Sequence, residues 1–445
     1  MKKKAAFYTL GCKVNTFDTE ALMEIFKSAD YEIVPFEESA DIYIVNTCTV
    51  TPTGDQKSRN MLRRAKRNNP EAIVIAAGCY AQVAAKELES MPEVDIVLGT
   101  QNRLKILDYI ESYKQTHNSD YVYDNFKSRE FEALTVSEKH EKTRAYIKVQ
   151  EGCDQFCSYC IVPYARGRVR SRALDSVIAE AEKLVCSGFS EFVITGIHVA
   201  SYGKEWNNDT DLLTLIRELD LIKGVERIRL SSIEPTYLTE KIISALSAIP
   251  SFCPHFHLSL QSGSDTVLER MNRKYTTDQY LQVVQNIRHY FKHPAITTDI
   301  MVGFPGETET EFSETCDFIQ KVRFYQIHVF KYSRRKGTVA DTMPNQVDET
   351  VKKERSQKLI AISKELETAF LQENDKTTAK VLFEQEHDFS KNDSINNKIN
   401  QTMIVGHTMN YIPVYLNADK NNCGKIIEVK LSYNKNQNLM IGKII

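Results

Sequence analysis

Two long stretches of alternating strand and helix patterns dominate this sequence. In residues 1–115 the strand patterns are short apolar runs at Ala5–Leu10, Asp41–Asn46, Ala72–Ala77 and Val94–Leu98, and helical patterns separate them. Continuous apolar strands that alternate with helices indicate βαβ units, and therefore a parallel sheet covered by helices on both faces. We predict an α/β, Rossmann-like parallel-sheet domain over residues 1–115.

The second alternating stretch begins after a polar segment, residues 116–143, which we interpret as a linker or loose hairpin. Six strand patterns follow it: Ala145–Val149, Phe192–Thr195, Arg227–Leu230, Phe256–Leu260, Ile296–Met301 and Gln326–Phe330. Six βα units fit an open or closed barrel-like sheet. We assign residues 144–371 to this second domain.

The pattern changes near the C-terminus. Asp348–Glu373 predicts one long helix, because Leu359, Ile362, Leu366 and Phe370 recur every three or four residues. Strand patterns then follow at Thr378–Phe383, Met403–His407, Tyr411–Leu416 and Lys425–Ser432, joined by turns rich in Asn and Asp. This predicts a small β-barrel over residues 372–445.

The composition excludes several classes of protein. Of the 445 residues, 42% are hydrophobic, so a disordered chain is excluded. Because 57 Lys and Arg face 59 Asp and Glu, contacts with nucleic acid must come from local patches rather than from a basic coat. No apolar run reaches the ~18 residues of a membrane helix, and the apolar stretch after Met1 is too short for a signal peptide. We expect a cytoplasmic protein without a membrane partner.

A cysteine triplet, Cys153-x3-Cys157-x2-Cys160, follows the first strand of the second domain. Thiolates suit zinc and iron–sulfur clusters, but a structural zinc site usually needs four ligands. A four-iron cluster held by three thiolates would keep one iron open for chemistry. A zinc knuckle or a set of reduced core thiols is the alternative.

Three further cysteines follow the first three strands of the N-terminal domain. Cys12, Cys48 and Cys79 each come two residues after a predicted strand. The carboxyl ends of parallel strands share one edge of the sheet, where ligands of α/β folds bind. Three thiolates can therefore converge there, although three separate buried thiols remain the alternative.

Several motifs together resemble the radical S-adenosylmethionine (SAM) methylthiotransferase family. They are TLGCKVN at 9–15, NTCTV at 46–50, AGCY at 77–80 and CSYCIVPYARGRVRSR at 157–172. The resemblance covers essentially the whole chain and implies an N-terminal methylthiotransferase domain, a partial (β/α)6 radical-SAM barrel and a C-terminal TRAM barrel.

The resemblance also implies the cofactors and the residues that hold them. Two 4Fe-4S clusters would be bound, one by each cysteine triplet, together with SAM. The residues implied for the SAM site are Tyr159, Gly196, Ser259, Gln261 and Gly303. No side chain is assigned as an acid, base or nucleophile, since the cofactors carry the chemistry.

Within the family, the Lys13-Val14-Asn15 form after Cys12 and the ARGRVRSR segment most resemble the branch that acts on tRNA N6-threonylcarbamoyladenosine next to the anticodon. The implied partners are the tRNA anticodon stem-loop, an electron donor such as a flavodoxin or ferredoxin, and a sulfur donor. Branches that act on N6-isopentenyladenosine or on a ribosomal-protein aspartate are alternatives. A non-enzymatic iron–sulfur RNA-binding sensor is another.

Two basic patches lie beside the cysteine triplets and could bind RNA phosphates. The first includes Arg63, Arg64 and Arg67 after Cys48; the second is Arg166, Arg168, Arg170 and Arg172, which would face one side if that stretch is extended. A solvated surface is the alternative for both. The C-terminal barrel is a weaker RNA-binding candidate, because residues 372–445 contain no arginine and their nine lysines face eight acids. Its lysines with Tyr411 or Tyr415 could still contact RNA, or it could be a packing cap.

Overall fold

The computed structural model describes residues 2–136, 143–388 and 402–445. Its N-terminal domain is one parallel sheet of six strands in the order β2-β1-β3-β4-β5-β6. The strands are β1 Lys4–Thr9, β2 Glu32–Val34, β3 Ile42–Thr47, β4 Ile73–Gly78, β5 Ile96–Leu98 and β6 Asp120–Tyr121. The helices are α1 Lys13–Ser28, α2 Pro52–Asn68, α3 Cys79–Val83, α4 Ala85–Glu89 and α5 Ile106–Thr116.

Burial on both faces explains why these strands read as continuous apolar runs. In β3 every residue is buried; Tyr43 and Val45 pack into one core, while Ile42 and Ile44 pack into the core on the opposite face. The four predicted strands are confirmed, and β2 and β6 are additions that the sequence pattern did not indicate.

The predicted linker, residues 116–143, is not a plain linker in its described part. Within it, β6 pairs with β5 and completes the N-terminal sheet. Leu134 and Val136 are buried in a small cluster with Phe17 and Ala21 of α1. Residues 137–142 lie outside the described residues.

The second domain is an open barrel made of two sheets, β10-β9-β7-β8 and β11-β12-β13. Single bridges from Ile228 to Phe252 and from Ile233 to Leu258 connect the sheets. The six predicted strands are confirmed, and β8 is an added antiparallel strand. The strands are β7 Arg144–Glu151, β8 Arg170–Ser171, β9 Glu191–Gly196, β10 Arg227–Leu230, β11 His255–His257, β12 Ala295–Val302 and β13 Gln326–Lys331.

The helices of this domain lie between its strands along the chain, except α13, which follows the last strand. They are α6 Val162–Arg166, α7 Leu174–Cys186, α8 Leu212–Asp220, α9 Glu240–Ser247, α10 Asp265–Arg270, α11 Thr277–Tyr290, α12 Glu309–Val322 and α13 Glu349–Glu373. Capping boxes at Thr276 and Thr308 fix the starts of α11 and α12. The long helix α13 confirms the prediction and leads into the third domain. No helix within the described residues is long and apolar enough to cross a membrane.

The C-terminal domain is a closed barrel in the order β14-β15-β16-β18-β17. Its strands are β14 Thr378–Asp388, β15 Thr402–Thr408, β16 Pro413–Leu416, β17 Ile426–Asn434 and β18 Leu439–Ile444. The four predicted strands are confirmed, and β18, which the sequence pattern did not indicate, closes the barrel.

Arginines of the radical-SAM-like barrel bind the C-terminal domain through its backbone. Arg227 donates to the carbonyl oxygens of His407 at 3.0 Å and Lys380 at 2.7 Å, and Arg229 donates to that of Met409 at 2.9 Å. These bonds support the packing-cap interpretation of the C-terminal barrel.

Tyr411 of the C-terminal barrel is also engaged by the neighbouring domain. Its ring stacks on His255 of β11 at 4.7 Å and on His407 at 4.5 Å, and the guanidinium groups of Arg144 and Arg229 lie over it. Because two histidine rings and two guanidinium groups already pack against Tyr411, the structure disfavours the prediction that this residue contacts RNA.

Candidate functional site

The three N-terminal cysteines meet at the carboxyl edge of the first sheet. Cys12 caps α1 just after β1, Cys48 follows the end of β3, and Cys79 begins α3 after β4. Their strands are direct neighbours in the sheet. A Cβ added to Gly11 would lie 3.0 Å from the Sγ of Cys48, so the turn that carries Cys12 passes against that sulfur.

Burial is the main influence on the pKa of two thiols of this set, those of Cys48 and Cys79. It raises the pKa of Cys79 to about 11 and also raises the pKa of Cys48. At Cys79 the positive charge of Arg166 opposes this shift, while the neighbouring Cys12 and Cys48 add to it. Three sulfurs close enough to influence one another provide a suitable donor set for an iron–sulfur cluster.

The second set occupies the loop between β7 and α6. The backbone N–H of Cys153 donates to the carbonyl of Gly167 at 3.0 Å, and that of Cys160 donates to the carbonyl of Cys157 at 2.9 Å. Asn272 donates to the carbonyl of Phe156, whose φ of +48° marks a tight turn. The loop is thus held in one shape by backbone and side-chain bonds.

The thiols of this loop are also strongly affected by burial. Burial raises the pKa of Cys153 to about 11 and of Cys160 to about 12. The thiols of Cys153 and Cys160 are therefore protonated at neutral pH in the free protein, and metal binding must release those protons. Arg273 donates to the Sγ of Cys157 at 3.3 Å and so places a positive charge against this set.

Two consecutive residues connect the two cysteine sets. Arg166 ends α6, directly after the second set, and its Nε donates to the Sγ of Cys79 at 3.1 Å. The carbonyl of the next residue, Gly167, accepts from the N–H of Cys153. Gly167 has a φ of +74°, and an added Cβ would lie 2.4 Å from the carbonyl oxygen of Asn125. This short segment holds the two cysteine sets in a fixed relation.

A buried network of charges surrounds Arg166 at the boundary of the two domains. Asp18 of α1 accepts hydrogen bonds from Lys148 at 2.8 Å and from Arg166 at 2.9 Å, and it also pairs with Arg103. Glu151 pairs with the same three cations. Burial would raise the pKa of Asp18, but the three cations together hold it below its usual value.

The predicted SAM residues lie around the strand ends of the barrel. Tyr159 lies within the cysteine loop, and its ring meets that of Phe304 edge-on at 6.5 Å. Gly196 ends β9, and an added Cβ there would lie 2.9 Å from the carbonyl oxygen of Gln150. Gly303 follows β12 with a φ of +72°, and an added Cβ there would lie 2.2 Å from the side chain of Lys352.

The remaining two predicted SAM residues follow β11. The carbonyl of Ser259 accepts hydrogen bonds from Arg273 at 3.1 Å and from the hydroxyl of Tyr275. Gln261 has a φ of +74° and exchanges backbone bonds with β12. Both residues are held at the same end of the barrel as the second cysteine set, since Arg273 contacts Cys157 as well as Ser259.

The prediction of phosphate contacts is wrong for three arginines of the second basic patch. Arg166, Arg170 and Arg172 are at most 3% exposed, and buried acids or backbone carbonyls accept their hydrogen bonds. The patch does not form one extended face, since Arg166 belongs to helix α6. Arg168 differs, because its side chain is 44% exposed.

The remaining cations of the patches lie at the surface. On α2, Arg63 and Arg64 are 46% and 39% exposed and face Glu93 and Glu37, and Arg67 is exposed as well. Arg168 lies over the rings of Phe126 and Phe156. Glu93 precedes β5 and Glu37 precedes β3, so the arginines of α2 lie towards the amino edge of the sheet, away from the first cysteine set. Cationic and aromatic groups are accessible beside the second cysteine set.

The sequence did not indicate two arginines that hold the site together. Arg273 joins Cys157, Glu234 and Ser259, and Arg103 joins the buried network at the domain boundary. No spacing rule distinguishes such arginines from surface ones, because their partners are far away in the sequence.

Comparison with known proteins agrees with this arrangement. Residues 4–99 match a family described as "Uncharacterized protein family UPF0004", and residues 147–319 match the Radical SAM superfamily. The chain is 44% identical to the threonylcarbamoyladenosine tRNA methylthiotransferase MtaB of Bacillus subtilis (strain 168), over 96% of this chain and 93% of that protein. The chain belongs to the radical-SAM methylthiotransferase family.

Members of this family with different names also match almost the full length. The chain is 36% identical to a tRNA-2-methylthio-N(6)-dimethylallyladenosine synthase of Natranaerobius thermophilus, over 97% of this chain and 95% of that protein. The structure resembles the radical S-adenosylmethionine methyltransferase TsrM of Kitasatospora setae, with a TM-score of 0.58, 15% identity and coverage of 77% of each chain. That likeness concerns the fold.

Proposed function

We propose that this protein is a tRNA methylthiotransferase that converts N6-threonylcarbamoyladenosine, next to the anticodon, into its 2-methylthio derivative. The observation that carries the proposal is the connection of the two cysteine sets through Arg166 and Gly167. The B. subtilis relative, 44% identical along almost the whole chain, bears the name of this activity.

The reaction explains why two metal centres and no acid–base residues are needed. The carbon to be modified is an aromatic C–H, which has no acidic proton and no leaving group. When bound, two 4Fe-4S clusters and SAM supply the radical and the sulfur chemistry. Cys153, Cys157 and Cys160 would hold one cluster, and the remaining triplet, Cys12, Cys48 and Cys79, the other.

The protein's own residues orient these groups. Arg166 and Arg273 place positive charge against one sulfur of each set, which favours the thiolate form that metals bind. Tyr159, Gly196, Ser259, Gln261 and Gly303 would surround SAM; at Gly196 and Gly303 an added Cβ would meet neighbouring atoms at 2.9 Å or closer.

The surface supports contact with an RNA loop. The exposed Arg63, Arg64 and Arg67 could neutralise phosphates. Beside the second cysteine set, Arg168 lies over Phe126 and Phe156, and exposed aromatic rings stack well on unpaired bases. The anticodon stem-loop is the part of tRNA that offers such bases. An electron donor of the flavodoxin or ferredoxin class and a sulfur donor complete the proposed set of partners.

Nucleoside mass spectrometry of total tRNA tests the proposal in cells that lack the gene and carry a plasmid copy. The wild-type copy should restore 2-methylthio-N6-threonylcarbamoyladenosine, while Cys48→Ala and Cys157→Ala should not. Cys186→Ala is the matched control, because Cys186 is an exposed cysteine outside both sets. If the wild-type copy instead restored the 2-methylthio derivative of the dimethylallyl (isopentenyl) adenosine, the substrate assignment would be refuted, while the methylthiotransferase reaction would still hold.

The proposed RNA surface has its own test. Arg168→Ala should weaken the binding of an anticodon stem-loop in a filter-binding assay, while Arg217→Ala on α8, also an exposed arginine, should not. Loss of one phosphate contact should also make binding less sensitive to salt. Equal affinities for the two variants would exclude Arg168 from the interface.

A further inference from the structure

Lys13 follows Cys12 of the first cysteine set directly and begins helix α1. This helix covers the inner face of the first barrel sheet. Side chains of a strand alternate between faces, and Ile147 of β7 is buried in the main core of the domain, so Lys148 belongs to the opposite, lumen face. Asp18 of α1 accepts a hydrogen bond from Lys148 at 2.8 Å. The end of α1 that carries Lys13 therefore lies at the boundary between the first cysteine set and the barrel lumen.

The charged groups that act on Lys13 in this place are cations. Its charge is repelled by those of Arg144 on β7 and Arg229 on β10, and it in turn acts on His255 of β11. The two arginines share one buried acid, Glu191, at 3.9 Å and 3.0 Å. Among the residues that the structure describes, no acid pairs with Lys13. Its positive charge is thus available to a ligand.

Lys13 also remains open to water although protein groups crowd it. The residue is exposed, yet burial and the charges of Arg144 and Arg229 lower its pKa. A side chain that water reaches and protein crowds lies in a wet recess rather than on an open surface. An anion that entered this recess would meet a cation without a competing acid, and it would offset the repulsion between the cations.

If the protein acts on N6-threonylcarbamoyladenosine, as proposed above, its substrate brings such an anion, because the threonylcarbamoyl group ends in a carboxylate. The second cysteine set lies beside the proposed SAM residues, since Arg273 contacts both Cys157 and Ser259. The first set is therefore left to meet C2, the carbon that accepts sulfur. C2 and the N6 substituent lie on the same edge of adenine, on either side of ring nitrogen N1. The substituent must then reach the residues that flank the first cysteine set, and Lys13 is one of them.

We propose that Lys13 binds the threonine carboxylate of the substrate nucleoside and so selects this nucleoside over N6-dimethylallyladenosine. An ammonium and a carboxylate form a strong, charge-assisted hydrogen bond. The dimethylallyl group is uncharged and apolar, and it would leave the ammonium group of Lys13 against hydrocarbon, which is unfavourable. A site that is built to bond a polar group of its substrate rejects the analogue that lacks this group.

Binding of synthetic anticodon stem-loops to the cluster-loaded protein under anaerobic conditions tests the proposal. One stem-loop carries N6-threonylcarbamoyladenosine, and the other carries its methyl ester, which has lost the negative charge. The wild type should bind the acid about 10- to 100-fold more tightly than the ester. Lys13→Met should bind both equally, and Lys13→Arg should recover part of the preference. Lys183→Met, at an exposed lysine of α7, is the matched control and should behave like the wild type.

Iron content and product analysis separate the possible failures. Lys13→Met should keep the full iron content; loss of iron in this variant alone would assign Lys13 to cluster loading and overturn the inference. Equal binding of acid and ester by the wild type, or an unchanged preference in Lys13→Met, would overturn it as well. If mass spectrometry shows that the wild type methylthiolates the acid stem-loop, these results refute only the role of Lys13. If the wild type leaves that stem-loop unmodified, the proposed function fails and the inference fails with it.

Discussion

The buried charge network between the first two domains predicts an unusually large effect of one substitution. Asp18 is 1% exposed and faces three cations, Arg103, Lys148 and Arg166. Asp18→Asn keeps the shape of the side chain but removes its charge. Removing one partner of a buried ion pair costs about 3–5 kcal/mol, and here it would leave the three buried cations with one counter-charge fewer, since Glu151 would face all three without Asp18.

This free energy can be measured as a change in thermal stability. At roughly 2–4 °C per kcal/mol for domains of this size, Asp18→Asn should lower the melting temperature by about 6–20 °C. Far-ultraviolet circular dichroism of the cluster-loaded protein under anaerobic conditions is the assay. Added salt should change the difference little, since buried charges are poorly screened.

Asp30→Asn is the matched control for this experiment. Asp30 pairs with Lys2 at 2.5 Å, but the two side chains are 75% and 63% exposed, so water screens the pair. Asn accepts the left-handed backbone of position 30, where φ is 64°, as readily as Asp does. If Asp18→Asn lowered the melting temperature no more than Asp30→Asn, the reasoning about the network would be refuted.

Three other substitutions test separate parts of the structure. Gly152→Ala should prevent the second cysteine set from binding its cluster and so reduce the iron content, because the added Cβ would lie 1.8 Å from a backbone carbonyl oxygen. Gly424→Ala is the control and should keep the full iron content, because Gly424 also has a positive φ but has free space around it. Burial raises the pKa of Glu311, but the hydrogen bonds from Arg270, Thr266 and Thr308 together outweigh it and lower the pKa to about 2. The stability that Glu311 provides over Glu311→Gln should therefore be constant above pH 5 and decline in urea titrations as the pH falls from 4.5 towards 2; an increase on acidification would contradict this. Arg229→Ala should loosen the C-terminal barrel and speed its proteolysis, and unchanged cleavage would show that the docking bonds are dispensable.

The central strands could be predicted from the sequence because their burial produces a clear pattern of apolar residues. β3 is buried on both faces and reads as a continuous apolar run. Three of the four missed strands, β2, β6 and β8, have only three, two and two residues, which is too short for any period to appear, whereas the fourth, β18, has six. β2 and β6 extend the first sheet by pairing with β1 and β5, and β8 pairs with β7, so these short strands are held by the hydrogen-bonding groups of their neighbours.

The two cysteine sets could be anticipated for different reasons. Local spacing indicated Cys153, Cys157 and Cys160, whereas the meeting of Cys12 with Cys48 followed only from the rule that parallel strands share one carboxyl edge. Neither signal could reveal Arg166, whose partner Asp18 is 148 residues away.

The arginines show why the partner of a charged residue cannot be predicted from the sequence alone. A run of arginines looks the same whether it faces phosphates or buried carboxylates. Here Arg166 connects the first domain to the barrel, and Arg227 and Arg229 connect the barrel to the third domain. The barrel therefore supplies the cations that hold its neighbours, which agrees with a C-terminal domain that has no arginine of its own. Arg168 is the exposed arginine of the second patch, and its pair with Asp154 at 3.1 Å lies at the surface beside the second cysteine set. It is therefore the first position to test for RNA contact.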